Sequence, residues 1–226
     1  MLKGDVVFNP KEHTYHLNGK LLRGVSGIVK QFKEEFDSDY WSKRKAKERG
    51  VSQEAVLKEW ADKAQKACDE GTEFHLHAQF RLEGKGQESS SPKAQAFDRW
   101  FKEAGLFIVP VGCEVLLWDE TLGIAGTCDL LFYSTKTKLF HILDWKTNGK
   151  FEVTNRYHRN LKHPFANLLD CELTGYSIQI GIYKRMAQRL IGCPLGQSWI
   201  MHVGEKVTPH RALSIDKQID TALKSL

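Results

Sequence analysis

Between Phe107 and Lys146 the chain carries three β-rich stretches joined by short turns, and this block limits its possible folds more than any other. Phe107 to Trp118 is apolar and rich in β-branched residues. Asp119-Glu120-Thr121 is turn-forming, and Ile124 to Tyr133 is a second strand. After Ser134-Thr135-Lys136-Thr137 comes a third, Leu139 to Trp145, with Lys146 at its end. Connections this short impose antiparallel pairing, so the block reads as a meander. A helical period over 173–191 follows, with Ile178, Ile182, Met186 and Leu190 as its apolar stripe. A strand over 198–203 and an amphipathic helix over 214–226 complete the C-terminal part.

The N-terminal part is of a different kind. Val6-Val7-Phe8 and His13 to Leu17 read as a β-hairpin, with a turn at Asn18-Gly19-Lys20. Ser26 fits as the N-cap of a helix over 27–33, and Trp41 to Arg49 as a short helix with five basic residues. Residues 53–83 are helical in period. Ala55, Leu57, Trp60, Ala64 and Cys68 fall on one face, and Gly71 interrupts the run before Thr72 to Leu82 continues it. Gly84 to Pro92 is a loop by composition, and a helix spans 92–104. The order hairpin, helices, three strands, helix, strand, helix indicates an α/β fold with a central mixed sheet flanked by helices. No linker appears, so the reading is one domain over 1–226. Residues 1–52 are an N-terminal hairpin and basic helical elaboration, and 53–226 the core.

Composition serves mainly to exclude. A chain of 226 residues buries about 70% of its unfolded surface, enough to fold without a disulfide or structural metal. The net charge of +5 permits a nucleic-acid partner without requiring one. Cys68, Cys113, Cys128, Cys171 and Cys193 are odd in number and never spaced as C-x-x-C, which speaks against a zinc ribbon. Scattered thiols fit a reducing, intracellular setting, and Met1 to Asp5 lack an apolar signal core. No apolar run reaches the roughly 18 residues of a membrane span, so no membrane partner is expected.

Three acids occupy the meander: Glu114, Asp129 and Asp144. A carboxylate within a strand is costly unless compensated. Cys113 and Cys128 each adjoin an acid, so strand alternation puts the cysteines on one face and the acids on the other. Same-face residues on adjacent strands lie about 5 Å apart, within joint reach of one hard cation such as Mg2+ or Mn2+. Lys146, two residues after Asp144, shares its face and suits orienting a water or neutralising phosphoryl charge. A plain ion pair at a strand end has the same spacing. His75 offers an imidazole four residues after Gly71, with His77 as a bystander. On the following helix Tyr176, Gln179 and Tyr183 share one face, off the apolar stripe.

The segment between Lys146 and that helix is long. It begins with Thr147 and Asn148 and interleaves Arg156, Arg159 and Lys162 with aromatic residues, a pattern suited to phosphate contact and base stacking. Lys43, Arg44 and Lys47 of the short basic helix are a second candidate contact, equally readable as a solvated face.

In order, Gly71 and His75, Glu114, Gly123 with Gly126 and Asp129, Asp144 with Lys146, and Gln179 with Tyr183 resemble the RecB-like, phage-type exonuclease branch of the PD-(D/E)XK nuclease superfamily. The hairpin with Val25-Ser26 is similar to that branch as well. The Pro-Asp of the superfamily name is Cys128-Asp129 here. The resemblance implies a restriction-endonuclease-like αβββαβ core and a metal-dependent DNA exonuclease leaving 5′-phosphate and 3′-hydroxyl ends, in recombination, repair or turnover. It implies one or two Mg2+ or Mn2+ ions held by His75, Asp129, Asp144 and the carbonyl of Trp145, with Lys146 positioning the attacking water. Glu114 would support Lys146 or a second ion, and Gln179 and Tyr183 would hold the scissile strand or the lysine. The partners implied are DNA with a free end and a recombination or replication protein. Clustered C-terminal cysteines are missing, so no iron–sulfur cluster is expected. A structure-selective endonuclease and a catalytically silent nucleic-acid-binding module fit the same motifs.

Overall fold

The computed structural model describes residues 6–86 and 89–226. Met1 to Asp5, on which the signal-core reading rests, and Gln87 and Glu88 of the Gly84–Pro92 loop lie outside the described residues. Strands β1 (Val6–Asn9), β2 (Thr14–Leu17) and β3 (Lys20–Gly24) lead into helices α1 (Val25–Gln31), α2 (Ser38–Arg49), α3 (Gln53–Leu82) and α4 (Pro92–Ala104). Next come β4 (Ile108–Asp119), β5 (Ile124–Ser134) and β6 (Leu139–Lys146), then α5 (Glu172–Ile191), β7 (Trp199–Val203), β8 (Val207–Arg211) and α6 (Asp216–Lys224). This is the expected α/β architecture: a central mixed sheet of eight strands, flanked by helices, with a hairpin at its N-terminal end.

The register explains where a site can form. β4 runs antiparallel along the length of β5, from Ile108↔Ser134 to Asp119↔Ile124. On its other edge β5 pairs with β6 only from Leu130↔Leu143 to Ser134↔Leu139. At Ile124 and Ala125 that same edge is taken by β3, in parallel. Residues 126–129 therefore lie where β6 has left and β3 has not yet joined. Backbone groups in such a gap need side-chain partners.

Two large clusters cover the sheet, and a smaller one, Tyr15, Leu17, Leu22 and Ala125, joins β2 and β3 to β5. On one face α1, α5 and α6 pack Ile28, Ile178, Ile182 and Ile219 against Ile124, Ile142 and Ile200. On the other, Phe74 of α3 and Phe97 of α4 pack against Leu130, Leu143 and Trp145. Full burial of each such side chain contributes about 1.5–3 kcal/mol.

Several sequence expectations need correction. The turn at Asn18-Gly19 joins β2 to β3, an additional strand, and the hairpin is a three-stranded meander. Ser26 does not cap a helix: α1 begins at Val25, whose side chain is buried, with Gly24 as N-cap. Gly71 does not interrupt α3, which runs unbroken for 30 residues. The face of Ala55, Leu57, Trp60, Ala64 and Cys68 is not a core face, because this half of α3 lies beyond the sheet. Residues 61–70 are all exposed, and the buried side chain there is Val56, where α2 packs. Leu190, at the end of α5, is exposed rather than part of the stripe. β8 was not expected.

The shared cysteine face is also not formed. Cys113 packs at the edge of the core under α3 and α4, while Cys128 lies in the core under α1 and α5. The reason is a roll in the ladder. Cys113 pairs with Leu130 and Val115 with Cys128, yet the first pair joins one core and the second the other. Glu114 between them has φ of +49°, a left-handed conformation that turns the strand over.

Candidate metal centre

The roll at Glu114 and the parting of β5 from β6 bring the chemistry together. His75 comes from α3, which approaches closely because Gly71 has no side chain; a Cβ there would stand 3.3 Å from Thr147 Oγ1. His75 Nδ1 lies 3.4 Å from Glu114 Oε1 and 3.6 Å from Asp129 Oδ1. The other oxygen of Asp129 accepts the Trp145 backbone N–H at 2.6 Å, so the carboxylate serves the open backbone where the strands part. Lys146 Nζ stands 2.6 Å from Asp144 Oδ2. Burial of Asp129 and Asp144 below a tenth of their full exposure makes these charges strongly interacting.

Electrostatics follow from this crowding. Burial opposes protonation of His75, but the charge of Asp129 and the hydrogen bond and charge of Glu114 prevail and push it up to about 9. Burial, then the charge of Asp144, raises Asp129 above the usual carboxylate range, against the pull of His75. Lys146 is likewise raised: burial disfavours the ammonium, but Asp144 and Asp129 hold it charged.

Three of these residues could together hold a metal ion. His75, Glu114 and Asp129 present ligand atoms all within 4.8 Å of one another, an imidazole and carboxylates. With His75 neutral, the three carboxylates of Glu114, Asp129 and Asp144 against the Lys146 ammonium leave two negative charges. The grouping differs from the expected one. Glu114 stands with His75 rather than beside Lys146, and Asp144 is the partner of Lys146. The Trp145 group that reaches the acids is its N–H.

The glycines of the motif have separate physical reasons. Gly123 adopts φ of +63° in the β4–β5 turn. Gly126 faces the Tyr183 ring so closely that a Cβ would fall 2.5 Å from Cε1. Tyr183 is buried, and its hydroxyl accepts from Gln179 Nε2 at 3.0 Å. These two side chains hold each other and not the lysine, because Gly126 draws Tyr183 under the sheet. The side chain over Lys146 is Tyr176, whose ring centroid lies 4.6 Å from Nζ.

The expected nucleic-acid residues separate into two groups. On α2, Lys43 pairs with Asp39 at 2.7 Å and Arg44 with Glu48 at 3.1 Å. Lys45 and Arg49 also have carboxylate partners, whereas Lys47 has none among the described residues. Four of its five cations thus contact a carboxylate, although α2 itself carries only two acids, Asp39 and Glu48, and stays basic. In the segment after β6, Tyr157 is 63% exposed, with the guanidinium carbons of Arg156 and Arg159 at 4.6 and 5.8 Å from its centroid. Neither arginine has a carboxylate partner among the described residues, and Lys162 reaches Glu34 only at 3.9 Å. Phe165, by contrast, is core, packed on Phe32. Asn148 is structural: its Nδ2 donates to Glu172 Oε1 at 2.7 Å and its carbonyl accepts from His202 Nε2 at 2.7 Å. Thr147 sits beside Gly71.

Sequence reasoning missed three residues. Tyr15 is buried with its hydroxyl 3.2 Å from Thr127, and burial raises its pKa, with the charges of Glu114 and Asp129 adding to the rise. Glu172 ties the long segment down by accepting from both Asn148 and the Glu152 N–H; an acid in a first helical turn was the available signal. Phe151, packed near Tyr176, had no signal at all. No protein-family model and no curated protein sequence matches the chain.

Proposed function

We propose that the protein is a metal-dependent nuclease that hydrolyses DNA phosphodiester bonds, acting from ends. The observation that carries this reading is one cluster of two buried aspartates, with a histidine against one of them and a lysine against the other. His75, Glu114 and Asp129 would hold Mg2+ or Mn2+, with Asp144 at its margin. A bound divalent ion supplies charge neutralisation at the phosphate and the leaving oxygen. Lys146, kept as an ammonium, donates hydrogen bonds to the attacking water or to a phosphate oxygen. Arg156 and Arg159, without a carboxylate partner among the described residues and set around exposed Tyr157, suit phosphate and base contact.

The test is digestion of end-labelled linear DNA, single- and double-stranded, beside a closed circle, with magnesium, manganese or EDTA. Metal-dependent loss of linear DNA, abolished in Lys146→Ala, is the expected result. Cutting of the circle would replace the exonuclease with an endonuclease. Binding without cleavage of DNA or RNA in any metal would overturn the enzyme. For the loop, Arg156→Ala with Arg159→Ala is expected to reduce the slope of log affinity against log salt by about two units. An unchanged slope would remove the loop from the interface.

A further inference from the structure

We infer that Tyr176 is a positioning residue for Lys146, and that Phe151 and the β7–β8 hairpin hold Tyr176 in that role. This rests on the nuclease reading above. The ammonium of Lys146 is gripped from two sides, by Asp144 Oδ2 at 2.6 Å and by the Tyr176 ring face, whose centroid lies 4.6 Å away. Attraction between a cation and a ring face strengthens when both are shielded from water, and the Lys146 side chain is only 18% exposed. A lysine has four rotatable side-chain bonds, so an ion pair alone leaves it several orientations. The ring removes those that turn Nζ away from the acids, and a ring face takes up no N–H in the way a second carboxylate would. The donors that point to neither partner stay available to a water or a phosphate oxygen.

The ring is itself backed. Phe151 lies 5.9 Å from Tyr176, centroid to centroid, and stacks on His210 of β8 at 4.1 Å and 17°. His202 of β7 lies 5.5 Å from Phe151 and hydrogen-bonds the carbonyl of Asn148, which closes the first turn of the segment onto the sheet. The hairpin that sequence reasoning did not foresee, and the start of the long segment, thus form a wall behind Tyr176. Tyr183 takes no part in it, since its hydroxyl is bound to Gln179.

The experiment compares wild type, Tyr176→Phe, Tyr176→Leu and Phe151→Leu for kcat and KM on end-labelled DNA, with Tm recorded for each. Tyr176→Leu is expected to lose about tenfold in kcat, which corresponds to about 1.4 kcal/mol, with KM little changed. Tyr176→Phe, which keeps the ring, should restore most of the rate, and Phe151→Leu should fall between. Equal kcat loss in Tyr176→Phe and Tyr176→Leu, or a loss confined to KM, would overturn the inference, since Tyr176 would then act through its hydroxyl or on the DNA. A second readout needs no activity. In protein with isotope-labelled lysine, the Lys146 ε-methylene signal, identified by its absence in Lys146→Ala, should be shifted upfield by the ring and return to the ordinary position in Tyr176→Leu. An unshifted signal in wild type overturns the inference. A shifted signal in a protein that cleaves nothing supports the geometry and overturns the nuclease reading instead.

Discussion

A methyl group at position 126 would fall 2.5 Å from the Tyr183 ring, nearer than real Cβ contacts come. Gly126→Ala therefore forces a buried ring or the β5 backbone to move, at a cost of about 1–3 kcal/mol. Urea unfolding should show the lower midpoint, and an unchanged midpoint would mean that Tyr183 moves freely. Glu114 predicts the opposite sign. Its φ of +49° costs a non-glycine residue about 1 kcal/mol or more, held because the strand must turn over there. Glu114→Gly relieves that strain and deletes a ligand of the candidate centre. The variant should be at least as stable as wild type in EDTA and bind Mn2+ more weakly in calorimetry. Unaltered manganese affinity would exclude Glu114 from the centre. Gly71, Gly123 and Gly126 and all three acids were readable as a spaced motif. The reasons behind the spacing were not, because a left-handed residue or a ring under a glycine leaves no mark on hydropathy.

At the scale of elements, legibility followed burial. β4, β5, β6 and α5 were found with ends within two residues, since each puts an apolar run or stripe into the core. β8 was missed because Val207-Thr208-Pro209-His210-Arg211 alternates weakly and contains a proline. The proline is tolerated in a short strand whose sheet partner, among the described residues, is β7 alone. The apolar face assigned to the first half of α3 failed for the converse reason. Helical period shows that a helix can form but not what lies beside it, and residues 61–70 are all exposed. The sites of α3 differ accordingly. Substituting Ala64 or Asp69 with lysine should change stability by no more than about 0.5 kcal/mol. Gly71→Ala should gain up to about 1 kcal/mol of helix propensity, reduced by the 3.3 Å approach to Thr147. A loss above 1 kcal/mol would show that Thr147 has nowhere to turn.

The whole molecule encloses a charge cluster that favours protons over an uncompensated state, and this sets the pH dependence of its stability without metal. The folded His75 pKa of about 9 exceeds the ordinary 6.5. Its contribution is complete below about 6.5 and is lost as pH rises through about 9. Asp129 acts in the same direction at lower pH. Its pKa is raised from 3.8, so the folded state holds that proton more tightly and loses stability as pH rises above the ordinary carboxylate range. In EDTA, Tm should therefore fall from pH 6 to pH 9 by more in wild type than in His75→Gln. A divalent cation reverses the balance, because it competes with these protons and binds the deprotonated ligands. The gain in Tm on adding manganese should grow across the same window, by mass action on the folded state. The difference between wild type and His75→Gln removes the titrations the two proteins share. If the two EDTA profiles run parallel, His75 carries no shifted proton. If manganese gives the same gain at pH 6 and pH 9, the ion binds somewhere other than this cluster.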